Sequence, residues 1–378
     1  MDQREVICTI ALSRLQGLSQ VGARMLCQKA GSAAAVADAR RSLRDIVPEA
    51  SQKVCDALAN EQHWNEAYKR AEVEWEFAQK NHIRCLCQMG DPDYPQMLCE
   101  CDDAPLVLFY MGTANLNAPH IVSMVGTRRI TPYGKDLCQR FVSDLKEVVP
   151  DALIVSGLAY GVDIASHRAA LNCGMSTVGV LAHGLDTIYP AMHRKDAAKM
   201  THQGGLLTEH ISQTVIMPGN FVRRNRIVAG MAAATIVVES GRKGGALITA
   251  ELAQEYNRDV FAFPGRIGDE YSEGCNRLIA KRGADLITSA EDFLLAVGWA
   301  EPKQKKADKN PQLELFATLS PEEQSIMNAL SGSDAKQINQ IVVETNLPYS
   351  QVAATLFELE LKGLVSVLGG ARYRKTMR

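Results

Sequence analysis

Residues Ile121–Gly134 read IVSMVGTRRITPYG. An apolar run ends in a glycine, two arginines follow at once, and Thr131-Pro132 then opens a helix. A glycine turn between a strand and a helix N-terminus places backbone amides and the positive end of the helix dipole where an anion can meet them. The phosphate held there belongs either to a small cofactor or to the backbone of a nucleic acid.

The surrounding chain sets the fold class. From about residue 105 to 295, short apolar runs alternate with helical stretches. LVLFYMG, IVSMVG, ALIVSG, STVGVLAHG, TIVVES and VFAFPG are the strand candidates, with segments such as KDLCQRFVSDLKEV and ALITAELAQEY between them. That alternation predicts an α/β core, a parallel sheet with helices on both faces. Such sheets bind ligands beyond the carboxyl ends of their strands, so the residues just after each run are the candidates. They are Gly126, Thr127, Arg128 and Arg129; Ser156, Gly157 and Gly161; Arg194 and Lys195 after Tyr189-Pro190; Phe221, Arg223, Asn225 and Arg226; and Arg242 with Lys243. Glycines let a phosphate approach the backbone, and arginines supply planar donor forks that fit phosphate oxygens and stack on bases. So many arginine-bearing loops imply more than one phosphate.

Spacing argues against a cofactor. The first loop, G-T-R-R-I-T-P-Y-G, and the second, SGLAYG, both lack the G-x-G-x-x-G dinucleotide fingerprint, and the chain has no G-x-x-x-x-G-K-[ST] phosphate loop. No catalytic residue stands out. Ser156 lacks the G-x-S-x-G elbow, and His167 and His183 have no acid paired with them in sequence, so both are read as structural. No cofactor is expected.

The composition, 46% hydrophobic and 22% charged, is that of an ordinary globular chain, and 378 residues allow two or three domains. Net charge is −2, yet residues 121–230 carry 12 Lys+Arg against 8 Asp+Glu, a mildly basic middle that suits a local anion site. No signal peptide and no 18-residue apolar segment is visible, which predicts a cytoplasmic chain with no membrane partner. Ten cysteines are then reduced thiols. Cys85, Cys87, Cys99 and Cys101 form two C-x-C pairs, a spacing shorter than that of structural zinc sites. In IRCLCQ it is also the period of a strand with one buried face. Buried or half-buried free thiols are expected, and no metal.

Four segments follow. Residues 1–84 read as helical, with Leu15–Gly22 resembling the turn of a helix-hairpin-helix or SAM-like unit. Residues 85–300 form the core. Residues 301–314, EPKQKKADKNPQLE, read as a linker. Residues 315–378 fit a winged helix: a capping box at Ser320-Pro321-Glu322-Glu323, helices near 334–345 and 349–363, and a hairpin turning at Gly369-Gly370 with basic Arg372, Arg374 and Lys375.

Taken in order, IVSMVGTRR, IVSGLAYGVDIASHRAAL, GLDTIYP, FVRRNRIVAGM, IVVESGRKGGALITAELAQEYNRDVFAFPG and GCNRLIAKRGA resemble the DprA (Smf) family of DNA-processing proteins over residues 85–290. The resemblance implies an extended Rossmann-like core that binds single-stranded DNA, hands it to the RecA recombinase in natural transformation, forms homodimers and is not an enzyme. It implies that Gly126-Thr127-Arg128 is a DNA-contacting element. Ser156-Gly157 with Gly161-Val162-Asp163, and Arg223, Asn225 and Arg226, match two further family motifs. After Tyr189-Pro190 the family usually has a lysine and then an asparagine; here Ala191 and His193 stand near those places, and Arg194 or Lys195 takes the basic role.

Single-strand binders also need stacking surfaces. Tyr160, Tyr189 and Phe221 are candidates, with core packing expected for Tyr189. Asp163 is read as a helix cap. Arg224 is read as solvated or paired with Glu239, and Glu239 as holding an arginine or a backbone amide. Two other functions compete. The core is also similar to lysine-decarboxylase-like nucleotide phosphoribohydrolases, although ESGRKGGALITAELAQE lacks their P-G-G-x-G-T core despite Thr249 and Glu251. A scaffold whose terminal modules do the binding is the other; deleting residues 1–80 and 311–378 is expected to abolish its binding.

Overall fold

The computed structural model describes residues 2–300, 319–330, 336–362, 364–368 and 372–375. The expected linker at 301–314 and the Gly369-Gly370 turn lie outside the described residues. Two units separate near residue 301.

Five helices begin the first unit: α1 (Gln3–Arg14), α2 (Gln20–Ala30), α3 (Ala33–Asp38), α4 (Gln52–Ala59) and α5 (Glu61–Lys80). Between α1 and α2 the turn passes through Gly17, and Ser19 caps α2 by accepting from the Gly22 amide at 3.0 Å. Ser32, Ser51 and Asn60 cap α3, α4 and α5 in the same way.

The sheet follows: β1 (Arg84–Cys87), β2 (Val107–Gly112), β3 (Ile121–Val125), β4 (Leu153–Ser156), β5 (Ser176–Val180), β6 (Gly204–Thr208), β7 (Ala234–Val237), β8 (Asp259–Ala262) and β9 (Asp285–Leu286). Their order is β1-β2-β6-β5-β4-β3-β7-β8-β9. The seven strands from β6 to β9 pair in parallel, as alternation requires. LVLFYMG does not join that pattern: β2 runs antiparallel to both β6 and β1. Only residues 113–120 connect β2 to β3. That is too short for a crossover helix, so the chain reverses instead of returning to the same end.

β6, whose sequence is GGLLT, carries no alternation and was not among the strand candidates. Its glycines make room for a neighbour, since a side chain at Gly205 would collide with the Tyr110 ring of β2.

The helices between the strands are α6 (Gln96–Cys99), α7 (Pro132–Val148), α8 (Val162–Cys173), α9 (Arg194–Gln203), α10 (Pro218–Gly230), α11 (Gly245–Glu255), α12 (Glu273–Ala280) and α13 (Ala290–Ala296). Alternating residues of each central strand face opposite layers. Val122, Met124 and Ile154 pack with Leu137 and Phe141 of α7 and Phe293 of α13. Val125, Val155 and Val237 pack with Ile227 of α10 and Ala250 of α11. The chain therefore leaves β3 toward one face and β7 toward the other. Adjacent strands whose connections part in this way open a crevice at their carboxyl ends.

The N-terminal helices do not form a separate core. Ile10, Leu12, Leu58 and Ala71 share one buried cluster with Cys87, Val107, Phe109 and Ile211. Arg24 of α2 donates to the Cys99 carbonyl at 2.9 Å. Cys85 and Cys87 face this cluster, half-buried and buried, and burial pushes both thiols up to about 12. Among the described residues no three His, Cys, Asp or Glu side chains gather as a metal site, and no helix is long and apolar enough to cross a membrane.

The second unit contains α14 (Pro321–Ala329), β10 (Lys336–Gln337), α15 (Ile338–Thr345), α16 (Tyr349–Leu361), β11 (Val365–Leu368) and β12 (Arg372–Lys375). Ser320 and Glu323 form the capping box that the sequence predicts. Ile326, Ile341, Leu356 and Val365 share its core. The sheet order β10-β12-β11 completes a winged helix with Arg372, Arg374 and Lys375 exposed on the wing.

Candidate nucleic-acid interface

The crevice between β3 and β7 is built from loops that hold one another. After β3, the Thr127 amide donates to the Glu239 carbonyl at 2.7 Å, and the Thr127 carbonyl accepts from the Val162 amide at 3.1 Å. Gly161 makes the second contact possible. It has φ +78°, and a side chain there would collide with the Thr127 carbonyl. The Glu239 carboxylate accepts from the Thr131 amide at 2.9 Å and from its hydroxyl. Glu239 thus holds a backbone amide, as its sequence reading expected, and not an arginine. Thr131 in turn caps α7 through the Gly134 amide at 3.1 Å.

Above this seam lies a cavity of about 290 Å³ lined by Gly126, Arg128, Gly157, Phe221, Arg224 and Gly244. Gly244 and Gly245 begin α11, so the positive end of that helix opens into the cavity. The Arg128 guanidinium is exposed and sits 5.5 Å from the centroid of the Phe221 ring. Phe221 meets Tyr189 edge-on, with centroids 5.8 Å apart. Core packing was expected for Tyr189, but it is 45% exposed. It lies in the loop after β5 (Ser176–Val180), beyond the strand's carboxyl end, so its ring belongs to the rim and not to the sheet. Tyr160 is also exposed, edge-on to His193 at 5.4 Å.

Arg194 and Lys195 are exposed in the first turn of α9, whereas His193 is buried with its Nδ1 3.0 Å from the Leu158 carbonyl. Arg223, Arg242 and Lys243 are exposed as well. None of these five cations has a hydrogen-bond or ion-pair partner among the described residues, and Asn225 is half-buried on the cavity wall. Arg129 is exposed, does not line the cavity, and bonds Tyr271.

Two expected site residues lie beneath the rim. Ser156 is buried and donates its hydroxyl to the Met124 carbonyl at 2.6 Å. Arg226 is buried, donates to the Asp103 carbonyl at 2.7 Å and pairs with Glu209. Its place on the inward face of α10 removes its charge from the surface. Arg224, which lines the cavity, is neither solvated nor paired with Glu239. It is buried, donates to the Val180 carbonyl and stands 4.0 Å from Asp163. Asp163 is not the cap of α8, since Gly161 holds that position without a side chain. The Asp163 carboxylate accepts from the Ala159 amide at 3.3 Å and balances Arg224. Burial raises its pKa, the Arg224 charge opposes that, and burial likewise lowers that of Arg224.

His167 is structural. Its Nε2 faces the Gly157 carbonyl, which can only accept, so that nitrogen carries the proton, while Nδ1 lies 2.7 Å from the Thr177 hydroxyl. Burial pushes its pKa down to about 4. His183 has Nδ1 2.8 Å from the Gly184 carbonyl and accepts from the Tyr189 amide at Nε2.

A larger cleft, about 900 Å³, lies on the other flank of the GTRR loop against Tyr133, Pro264 and Tyr271. Its wall carries Glu239, Asp269 and Glu270. Those three carboxylates face one cation there, Arg266, whereas the smaller cavity has Arg128, Arg224 and a single acid, Asp163, so the smaller cavity suits a polyanion better.

The fold is a Rossmann-like core with a winged helix in the same chain, and the core's rim carries glycine loops and exposed arginines. The model of the DNA recombination-mediator protein A family matches residues 85–298, and that of the DprA winged helix domain matches residues 309–371. The chain belongs to the DprA (Smf) family. It is 34% identical over 316 residues to Protein Smf of Synechocystis, covering 75% of this chain and 78% of that one. The crystal structure of DNA processing protein A from Streptococcus pneumoniae superposes with a TM-score of 0.61 at 30% identity, over 78% of this chain and 98% of that one. The Helicobacter pylori DNA processing protein A, whose structure describes a single-stranded DNA binding mode, gives 0.52 at 30% identity over 57% and 96%.

Proposed function

We propose that this chain binds single-stranded DNA in the cavity beyond β3 and β7, as part of a DNA-processing role in natural transformation. We further infer that it passes the strand to the RecA recombinase, that it works as a homodimer, and that it is not an enzyme. The observation that carries the reading is the row Arg128–Phe221–Tyr189 beside a helix N-terminus and unpaired cations. Amides and guanidinium groups suit phosphates, and the two rings offer faces to unstacked bases. A free nucleotide would need only part of that surface.

The phosphoribohydrolase alternative asks for a carboxylate free to act on the sugar. Asp163 is the one acid lining the cavity among the described residues, and it is committed to Arg224.

Fluorescence anisotropy of a labelled mixed-sequence strand at two salt concentrations tests the proposal, with wild type beside Arg128→Ala. Tight, salt-sensitive binding that weakens in the variant supports it, with blunt duplex binding more weakly. Equal affinity for duplex argues against a single-strand groove, and absent binding returns the cavity to mononucleotides. RecA filament formation on the bound strand tests the second step.

A further inference from the structure

The segment after β6 is tied to the N-terminal helices. Glu74 of α5 is buried and accepts from the Ser212 amide at 3.0 and 2.9 Å and from its hydroxyl at 2.6 Å. Arg70 of the same helix donates to the Ser212 carbonyl at 2.7 Å. Ile211 sits in the cluster that those helices share with the sheet edge.

Two features lie beside this tether. Val215, Ile216, Met217 and Val222 are 73%, 37%, 57% and 50% exposed. They make an exposed apolar stretch along the chain that ends at Val222, which lines the cavity beside Phe221. The second feature is His210, just before the tether. It is buried, its Nε2 has no hydrogen-bond partner, and burial together with nearby charge pushes its pKa down to about 4. The charges that act on it most strongly are Arg14, Arg223 and Arg226, all of one sign. Arg226 is neutralised by Glu209. Arg14, at the end of α1, and Arg223 are exposed and have no partner among the described residues. The end of the first helix and the start of α10 thus share an unbalanced positive field.

Exposed apolar side chains next to unpaired guanidinium groups suit a ligand with both phosphates and hydrophobic faces. Free phosphate would leave the apolar stretch uncovered. We propose that the bound strand continues past the cavity, lays bases against the Val215–Val222 stretch and places a phosphate at Arg14, so that the N-terminal helices form part of the DNA surface. This rests on the single-strand reading above and extends it by several nucleotides.

The test compares wild type, Arg14→Glu and Arg128→Ala on strands of about 6 and about 30 nucleotides, lengths chosen to fill one site or overrun it. Arg14 makes no hydrogen bond or ion pair among the described residues, so its variant should melt with wild type. Arg14→Glu is expected to leave the short strand unchanged and to weaken the long one about fivefold, with a salt slope shallower by about 0.7 for the lost phosphate contact. Arg128→Ala should weaken both lengths. If Arg14→Glu binds the long strand like wild type, or weakens both lengths equally, the extension is overturned while the cavity stands. If wild type binds neither length, the single-strand reading falls and takes the extension with it.

Discussion

The GTRR loop and the RRNR stretch of α10 look alike in sequence, two arginine-rich motifs beyond strand ends, and the structure treats them oppositely. In the loop, Arg128 and Arg129 are both exposed. On α10, Arg223 is exposed but Arg224 and Arg226 are buried against Asp163 and Glu209. A count of arginines is therefore not a count of charges available to DNA. A loop that leaves a strand end faces solvent on most sides, whereas a helix packed on a sheet turns part of every turn inward.

The comparison breaks most easily at Arg226. Arg226→Met leaves Glu209 buried without its partner and is expected to cost roughly 3–5 kcal/mol of stability by denaturant unfolding. Strand affinity of the folded protein should stay within about twofold of wild type, since a buried pair makes no phosphate contact. Lost affinity at full stability would put Arg226 on the rim and end the contrast.

Acid tests the buried support in a different way. His167 binds its proton at about 4 in the folded protein, below its ordinary 6.5. Between those values the unfolded chain holds more protons, so stability falls as pH drops from 6.5 toward 4 and is flat above. That one residue contributes up to about 3 kcal/mol of the loss. His210 shifts in the same direction. A melting profile that is level through this range would show that His167 is not held neutral.

Arg128→Ala should leave the melting temperature unchanged and weaken single strands of any sequence about tenfold, or about 1.4 kcal/mol. Its salt slope should be shallower by about 0.7. Unchanged affinity and slope would take Arg128 out of the site. Tyr189→Ala is expected to cost about 1 kcal/mol of binding through lost stacking, with little change in salt slope. A changed slope instead would mean that the ring acts by positioning a cation. The smallest effect belongs to Arg129→Ala. Its guanidinium already bonds Tyr271 beside an acidic cleft, so affinity within about twofold of wild type is expected. A loss as large as that of Arg128→Ala would erase the difference within the loop.

Much of this was legible in the sequence. Apolar runs broken by glycine gave the parallel strands, because a strand buried on both faces reads as a continuous hydrophobic run. Ser320 and Glu323 announced α14 through their own side chains. Elements whose reason lay in a distant partner were hidden. β6 is a strand through its pairing with β5 and β2, with glycines where the Tyr110 ring needs space, and β2 is antiparallel because its exit loop is short. At the site, glycine and arginine loops after strands were found by position alone. The burial of Arg224 and Arg226, the exposure of Tyr189 and the neighbourhood of Arg14 and His210 depend on how α10 packs, and no local pattern encodes that.

The shared core of the N-terminal helices and the sheet edge has an evolutionary consequence. Val107, Phe109, Cys87 and Ile211 have their apolar cover in those helices, so a chain cut at residue 84 would bare a hydrophobic edge strand, a surface prone to aggregate. Loss of the helices therefore carries a cost at the sheet edge. A lineage that discarded them would first have to make the sheet edge polar.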